Sequence, residues 1–140
     1  MPIEANKLVA RRFVEEVLDG GSFEVLRELF MPGAVRHFPY GDITVGPTPP
    51  VRPFRSMQTD VHHLYGEDEY VTIHLTHHVT FAEGARFNTR MGWVEAGGKQ
   101  VEWNAMVVLR IESGKIAEEW VVRDELQVLM QLGHVKHPTS

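Results

Sequence analysis

The chain has 140 residues, of which 43% are hydrophobic and 24% charged, and this is the length and composition of one globular domain. A net charge of −5 at pH 7, without a run of lysine or arginine, argues against nucleic acid or an anionic membrane as a partner. Cysteine is absent, which excludes disulfides, a thiol nucleophile and thiolate metal ligands. The N-terminal segment is acidic and amphipathic and no apolar run could span a bilayer, so we expect one soluble, cytoplasmic domain over residues 1–140.

Two amphipathic helices are predicted at the N-terminus. From Ile3 to Leu18 the apolar residues recur at helical spacing, and Gly20-Gly21 ends this helix. Ser22 is a suitable N-cap for a second, short helix, which Pro32-Gly33 stops. A short strand is predicted over residues 34–38.

A proline-rich loop follows over residues 39–53, which contain five of the eight prolines. Each proline fixes its own φ and restricts the preceding residue, so the loop is stiff. A domain linker is the alternative, but too few residues precede it for an independent domain. We expect a surface loop at the rim of a pocket, with a short helical turn near Val51–Met57.

The second half of the chain is rich in β-branched residues and predicts strands. The predicted strands cover residues 60–65, 70–81, 86–95, 100–112 and 115–123. Gly97-Gly98 marks a hairpin, and after Asp124 the leucine spacing returns to helical. Helices followed by an antiparallel meander predict an α+β fold, with the helices packed on one face of a curved sheet.

Asp124 is the most informative candidate residue. Side chains two apart on a strand share a face, so Ile116, Trp120 and Val122 are predicted to point the same way as this aspartate. Burying a carboxylate without a partner costs free energy, and contact with Trp120 would desolvate it, as a poised general acid or base requires. The alternative is that Asp124 lies at the strand end and caps the following helix.

Eight histidines raise the question of a metal site. His74 and His78 share a strand face but lie roughly 13 Å apart, too far for one metal ion with bonds of about 2 Å. A site that combines one of them with His37 or Asp124 is the remaining alternative. We expect no metal ion, with most histidines exposed or hydrogen-bonded on the outer face of the sheet.

The motifs of other enzyme classes are missing from the sequence. There is no Gly-x-Ser-x-Gly nucleophile elbow and no glycine-rich phosphate loop, so we expect neither a serine hydrolase nor a nucleotide cofactor. Acid–base chemistry in an apolar pocket remains, with His37 as a candidate partner of Asp124 near neutral pH.

The predicted pocket suits a flat hydrophobic ligand. Packing in the core is the alternative role for each aromatic and methionine side chain, and only one of Trp103 and Asn104 can line a given pocket, because they point to opposite faces. The predicted ligand-binding residues are Tyr40, Phe54, Met91, Trp93, Asn104, Met106 and Trp120.

Two stretches of the chain carry a recognisable pattern. The first runs from Asn6 through Asp19-Gly-Gly to Val35-Arg-His37, and the second is Leu109–Gly133, with a Gly-Lys-Ile turn, Trp120, Asp124 and a Gln-Leu-Gly ending. The pattern resembles that of the SnoaL-like polyketide cyclases. The resemblance implies the nuclear transport factor two-like fold, a cone-like half barrel of curved antiparallel sheet with a pocket inside. Three N-terminal helices cap this sheet, and a short C-terminal helix follows it.

The resemblance also implies an activity and an assembly. Family cyclases close a ring by intramolecular aldol condensation without a cofactor, and the aspartate matched by Asp124 is their general acid/base. We therefore expect a lyase or isomerase that acts on a hydrophobic, polyketide-like carbonyl compound, with His37 or His78 as a second catalytic residue. A homodimer through the sheet is implied as well.

Two alternative functions stay open. One is a dehydratase or hydrolase on the same fold, which would use a histidine, His37 or His78, together with Asp124 and Tyr40. The other is a non-catalytic domain that binds a small ligand or dimerises, because a fold does not settle function.

Overall fold

Three helical segments precede the sheet in the computed structural model, which describes residues 2–138. Ser22 is the N-cap of the last of them, and its hydroxyl accepts a hydrogen bond from the Val25 N–H, as the sequence predicts. Gly21 has a φ of +67°, which lets the chain turn between the second and third segments. The segments are α1 (Ile3–Arg12), its π-helical continuation (Phe13–Asp19) and α2 (Phe23–Leu29).

Eight strands and one more helix follow within the described residues. They are β1 (Phe30–Phe38), β2 (Gly41–Thr44), β3 (Phe54–Glu67), β4 (Tyr70–Phe81), β5 (Arg86–Thr89), β6 (Gly92–Glu95), β7 (Gln100–Glu112), β8 (Lys115–Arg123) and α3 (Glu125–Gln131). Six strands form one sheet in the order β2-β1-β8-β7-β4-β3, while β5 and β6 form a separate hairpin. Neighbours in the large sheet are antiparallel except β1 and β8, which run parallel. The predicted α+β class is confirmed, with an open sheet whose edges are β2 and β3.

The sequence predictions fail in the proline-rich region and in the hairpin that follows. The helical turn near Val51–Met57 is wrong, because β3 begins at Phe54 and pairs with β4 along its whole length. This long partner strand overrides the local turn signal. The single strand predicted over residues 86–95 is also wrong, since Gly92, with a φ of +101°, closes a tight turn between β5 and β6.

A β-bulge changes the direction of side chains along β8. Ile116 pairs with Ile111 on β7, whereas Glu118 pairs with Arg110. One step along β7 therefore corresponds to two steps along β8, and Ala117 is the extra residue. Such an insertion exchanges the two faces of every residue that follows it.

Beyond the bulge, Glu119 points inward and is 1% exposed. Trp120 lies on the other face, and Val122 and Asp124 are exposed. The prediction that Ile116 shares a face with these three residues is wrong, because the strand is irregular between them.

The core lies between the helices and the inner face of the large sheet, where buried and exposed residues alternate along β4 and β7. An aromatic cluster fills one end of it, and neighbouring ring centroids are 5.1–6.1 Å apart. Its members are Phe54, Phe81, Phe87 and Trp103. The helices within the described part of the chain are all too short or too polar to cross a lipid bilayer.

Truncation of the cluster tests how much the core stabilises the fold. Phe81 is 0% exposed, whereas Tyr65, an aromatic residue on the neighbouring strand, is 63% exposed. We expect Phe81→Ala to lower the free energy of unfolding by about 3–5 kcal/mol, because it removes buried surface and leaves a cavity. Tyr65→Ala should lower it by less than about 1 kcal/mol. Urea unfolding monitored by circular dichroism measures both, and equal losses would contradict this description of the core.

Candidate active site

A cavity of about 460 Å³ lies between the helical segments and the inner face of the sheet. This is a typical volume for a small-molecule site. The π-helical segment, α2 and strands β1, β3, β4, β7 and β8 supply most of its wall, which is mainly apolar. Pro49–Pro53 contribute to the lining, so the predicted position of the proline-rich loop beside a pocket is confirmed.

A buried ion pair forms part of the cavity wall. The parallel pairing of β1 with β8 places Arg36 opposite Glu119, and the Arg36 Nε donates a hydrogen bond to the Glu119 Oε1 at 2.5 Å. The guanidinium carbon also lies 5.0 Å from the ring centroid of Phe38 and 5.3 Å from that of Phe30. Aromatic faces thus support a cation whose charge is balanced by one buried carboxylate.

The ion pair keeps hydrogen-bonding capacity that a ligand can use. Among residues 2–138, the two terminal NH₂ groups of Arg36 and the Oε2 of Glu119 have no hydrogen-bond partner. Both side chains line the cavity. A carbonyl or enolate oxygen in the cavity would find charge-assisted donors on Arg36.

Tyr40 extends this polar part of the wall. The guanidinium carbon of Arg123, which forms an ion pair with Glu125, lies 5.5 Å from the Tyr40 ring centroid and 4.4 Å from that of Phe87. Burial raises the pKa of Tyr40, although nearby Arg123 and Arg36 act in the opposite direction. Tyr40 is therefore a protonated phenol at neutral pH and can donate a hydrogen bond.

A hydrogen-bonded chain orients His77. Asp19, the last residue of the π-helical segment, accepts hydrogen bonds from the Thr59 hydroxyl at 2.6 Å and from the Thr59 N–H at 3.0 Å. The same hydroxyl oxygen lies 2.7 Å from the His77 Nδ1. A hydroxyl has one proton, and an ionised carboxylate only accepts, so the Thr59 proton points at Asp19. The His77 Nδ1 must then carry its own proton and donate it to Thr59.

The other ring nitrogen of His77 is a free base on a side chain that lines the cavity. His77 is 7% exposed, lines the cavity and packs edge-on against Trp103, with ring centroids 5.5 Å apart. Burial lowers the pKa of His77 to about 4, and Arg123 and His78 add to this effect. The ring is therefore neutral at pH 7. Its Nε2 carries a lone pair and has no hydrogen-bond partner among the described residues.

Asp124 directly follows β8 and caps the next helix. This is the alternative role that the sequence left open for it. The residue is exposed, and its Oδ1 accepts a hydrogen bond from the Gln127 N–H at 2.9 Å as the N-cap of α3. Its carboxylate is not among the described side chains that line the cavity. The catalytic role of Asp124 stays a prediction.

His37 and His78 have carboxylate partners outside the cavity. His37 lies between Asp42, at 2.8 Å, and Glu118, at 2.6 Å, and these hydrogen bonds raise its pKa. His78 is exposed and lies 2.9 Å from an oxygen of Asp60. Neither histidine contributes to the cavity lining within residues 2–138, so the structure does not bring either of them together with Asp124. The same residues contain no group of three or more His, Asp or Glu side chains that could hold a metal ion.

Fewer than half of the seven predicted ligand-binding residues line the cavity. Three line the cavity, namely Tyr40, Phe54 and Trp93. The other four do not belong to the cavity lining described for residues 2–138. They are Met91, Asn104, Met106 and Trp120. On β7 the inward positions belong instead to Trp103, Ala105 and Val107.

The candidate residues that sequence reasoning missed are Arg36, Glu119, His77 and Asp19. One signal for His77 was present, because it alternates with Leu75 and Val79 on the apolar face of β4. Glu119 gave no such signal, because regular alternation from Ile116 places it on the outer face and the bulge at Ala117 cannot be recognised in the sequence.

The comparisons with known proteins agree with this architecture. The family model of the SnoaL-like polyketide cyclases matches residues 8–132. The chain is similar to wild-type IdmH, a candidate polyketide cyclase from Streptomyces antibioticus, with 26% identity, a TM-score of 0.67, and coverage of 91% of this chain and 98% of that one. No curated protein sequence matches the chain.

Two more distant structures show the same fold. AclR, a candidate hydroxylase from Streptomyces galilaeus, is 19% identical with a TM-score of 0.75, and the match covers 99% of this chain and 87% of that one. An LEH-like epoxide hydrolase from M. tuberculosis is 11% identical with a TM-score of 0.68, and the match covers 93% of this chain and 86% of that one.

The low pKa of His77 predicts a pH dependence of stability. Between about pH 6.5 and about pH 4 an unfolded histidine binds a proton that His77 does not bind in the folded protein. The free energy of unfolding should therefore fall as the pH is lowered through this window, by an amount on the order of 3 kcal/mol at most. We expect His77→Gln to lose this part of the slope in urea unfolding at pH 7, 6, 5 and 4.5.

His78→Gln is the matched control, because His78 is the next residue along the strand and is exposed. Because burial is the largest cause of the low pKa of His77, we expect His78→Gln to keep most of the slope even though His78 contributes to that pKa. Identical slopes for wild type and His77→Gln would contradict the burial of a neutral ring.

Proposed function

The chain belongs to the family of SnoaL-like polyketide cyclases, and from this membership we propose that it catalyses proton transfer on a hydrophobic, polyketide-like carbonyl compound. Ring closure by aldol condensation and isomerisation are the reactions that such a transfer serves. The observation that carries the proposal is the Asp19–Thr59–His77 chain, which ends at a histidine in the wall of an apolar cavity and leaves the Nε2 of that histidine without a hydrogen-bond partner among the described residues. The proposed chemistry uses only side chains of this chain.

In the proposed reaction, His77 removes a proton from the carbon next to a carbonyl group. The C–H electron pair forms an enolate, whose oxygen accepts hydrogen bonds from the NH₂ groups of Arg36 and from the Tyr40 hydroxyl. The enolate carbon attacks a second carbonyl of the same molecule. The alkoxide formed there takes back the proton that the Nε2 carries.

The hydrogen-bonded chain supports the charged state of the base. Once its Nε2 is protonated, the imidazolium of His77 still donates its Nδ1–H to Thr59, and Thr59 still donates to the carboxylate of Asp19. Because the pKa of His77 is about 4, the base is weak. It suits an acidic C–H, such as the carbon between two carbonyl groups of a polyketide.

Dehydration is a second candidate reaction, supported by the same chain of an aspartate, a hydroxyl and a histidine. His77 removes the α-proton from a β-hydroxy carbonyl compound to give the enolate. The imidazolium then donates this proton to the β-hydroxyl, which leaves as water while the enolate becomes a conjugated double bond. We also propose a homodimer through the outer face of the sheet, where Tyr65, Met106 and Val122 are exposed.

Proton abstraction can be measured before the natural substrate is known. In D₂O, 2-tetralone exchanges the C1 protons next to its carbonyl, and NMR follows the loss of their signal. We expect wild-type protein to accelerate the exchange over buffer and His77→Asn to lower this acceleration by about 10²-fold or more. His78→Asn, on the opposite face, should stay within about twofold of wild type. No acceleration by wild type, or equal acceleration by His77→Asn, would reject His77 as the base.

The same assay separates His77 from the aspartate that the resemblance implies. Asparagine is as good an N-cap as aspartate, so Asp124→Asn should keep α3 and the free energy of unfolding nearly unchanged. We expect exchange by Asp124→Asn to remain within about twofold of wild type. A loss of about 10²-fold, with unfolding unchanged, would make Asp124 the acid/base instead.

A further inference from the structure

The charge on the cavity wall is opposite to the charge of the whole chain. The net charge of the chain is −5, and His77 is neutral at pH 7. The charged residues that line the cavity are nevertheless Arg36, Arg52, Arg86, Arg123 and Glu119. A ligand in this cavity therefore meets an excess of positive charge.

Three of these arginines have a carboxylate partner. Arg36 pairs with Glu119, and Arg123 pairs with Glu125. Arg86 lies 3.8 Å from Glu95, and both of these side chains are exposed. Arg52 forms no ion pair with a carboxylate among residues 2–138.

Arg52 is held in place although no carboxylate among the described residues pairs with it directly, and Asp19 acts on its charge only from a longer distance. Its two terminal nitrogens donate to the backbone carbonyls of Leu18, at 2.7 Å, and of Asp19, at 3.1 Å. The carboxylate of Asp19 is occupied by Thr59. The guanidinium carbon also lies 5.7 Å from the ring centroid of Phe54.

Gly21 makes this placement possible. A Cβ at that position would lie 2.9 Å from the Arg52 Nε, so any larger residue would displace the side chain. The guanidinium is thus oriented before any ligand arrives, which lowers the entropy cost of binding. Its remaining N–H groups are available, and guanidinium and carboxylate match in geometry.

We propose that this cavity binds ligands that carry a carboxylate, and that Arg52 binds this group at the rim while the apolar part of the ligand fills the interior. As a statement about the substrate, the inference rests on the proposed function. The acidic group at the rim would fix the orientation in which the carbonyl part of the molecule approaches His77 and Arg36.

A pair of matched probes tests the inference without turnover. Anthraquinone-2-carboxylate and anthraquinone-2-carboxamide share a flat apolar body and differ in charge, and quenching of tryptophan fluorescence reports their binding. We expect wild-type protein at low salt to bind the carboxylate about tenfold more tightly than the carboxamide. Arg52→Gln should bind the two equally, with the carboxamide Kd unchanged.

Arg55→Gln is the control, since Arg55 is an exposed arginine three positions further along the chain, near the start of β3, and should keep the discrimination. Arg52→Lys keeps the charge but loses the paired N–H donors of the guanidinium. We expect this variant to bind the carboxylate about threefold more tightly than the carboxamide. Should Arg52→Gln fail to fold, as circular dichroism would show, Arg52→Lys and the salt dependence of the wild-type Kd ratio decide the matter.

Equal affinities of wild-type protein for the two probes would overturn the inference. Full discrimination by Arg52→Gln would overturn it as well, because another cation would then bind the carboxylate. The test is independent of proton transfer. Discrimination without exchange of 2-tetralone protons would reject the proposed function alone, and exchange without discrimination would reject the carboxylate site alone.

Discussion

The β-bulge at Ala117 is the local constraint on which the site depends. Without the extra residue, the alternation that buries Ile116 would turn Glu119 to the outside and carry Asp124 to the inside. With it, the one carboxylate of β8 that reaches the cavity lies opposite Arg36 on the parallel neighbour β1. A single inserted residue thus selects the polar group of the wall, and bulges near active sites commonly have this effect.

Burial in the apolar wall of the cavity acts differently on the Arg36–Glu119 ion pair and on His77. Arg36 and Glu119 form a buried ion pair, in which each side chain compensates the burial of the other. His77 has no such carboxylate beside its ring, and burial keeps it neutral. The aspartate that supports it stands one hydroxyl away, where it fixes the position of the Nδ1 proton through Thr59. The cavity is therefore lined by a charged pair, Arg36 with Glu119, and by a neutral base, His77.

Periodicity in the sequence predicts most of the fold but only part of the site. The helical spacing before Gly20 and the alternation in β4 and β7 were sufficient for the α+β class, because each follows from local geometry. The face of Glu119 depends on the bulge, and the extent of β3 depends on its pairing with β4. His77 and His78 are adjacent and alike in sequence, and only the alternation with Leu75 and Val79 distinguishes the inward one.

The parallel contact between β1 and β8 also has a consequence for folding. Arg36 and Glu119 are 83 positions apart in the chain, so a large loop must close before their side chains meet. On the ribosome, the arginine emerges long before its carboxylate, and an unpaired guanidinium resists burial until then. We therefore expect the cavity to form late in folding, when synthesis of β8 completes the sheet and balances the buried charge in the same step.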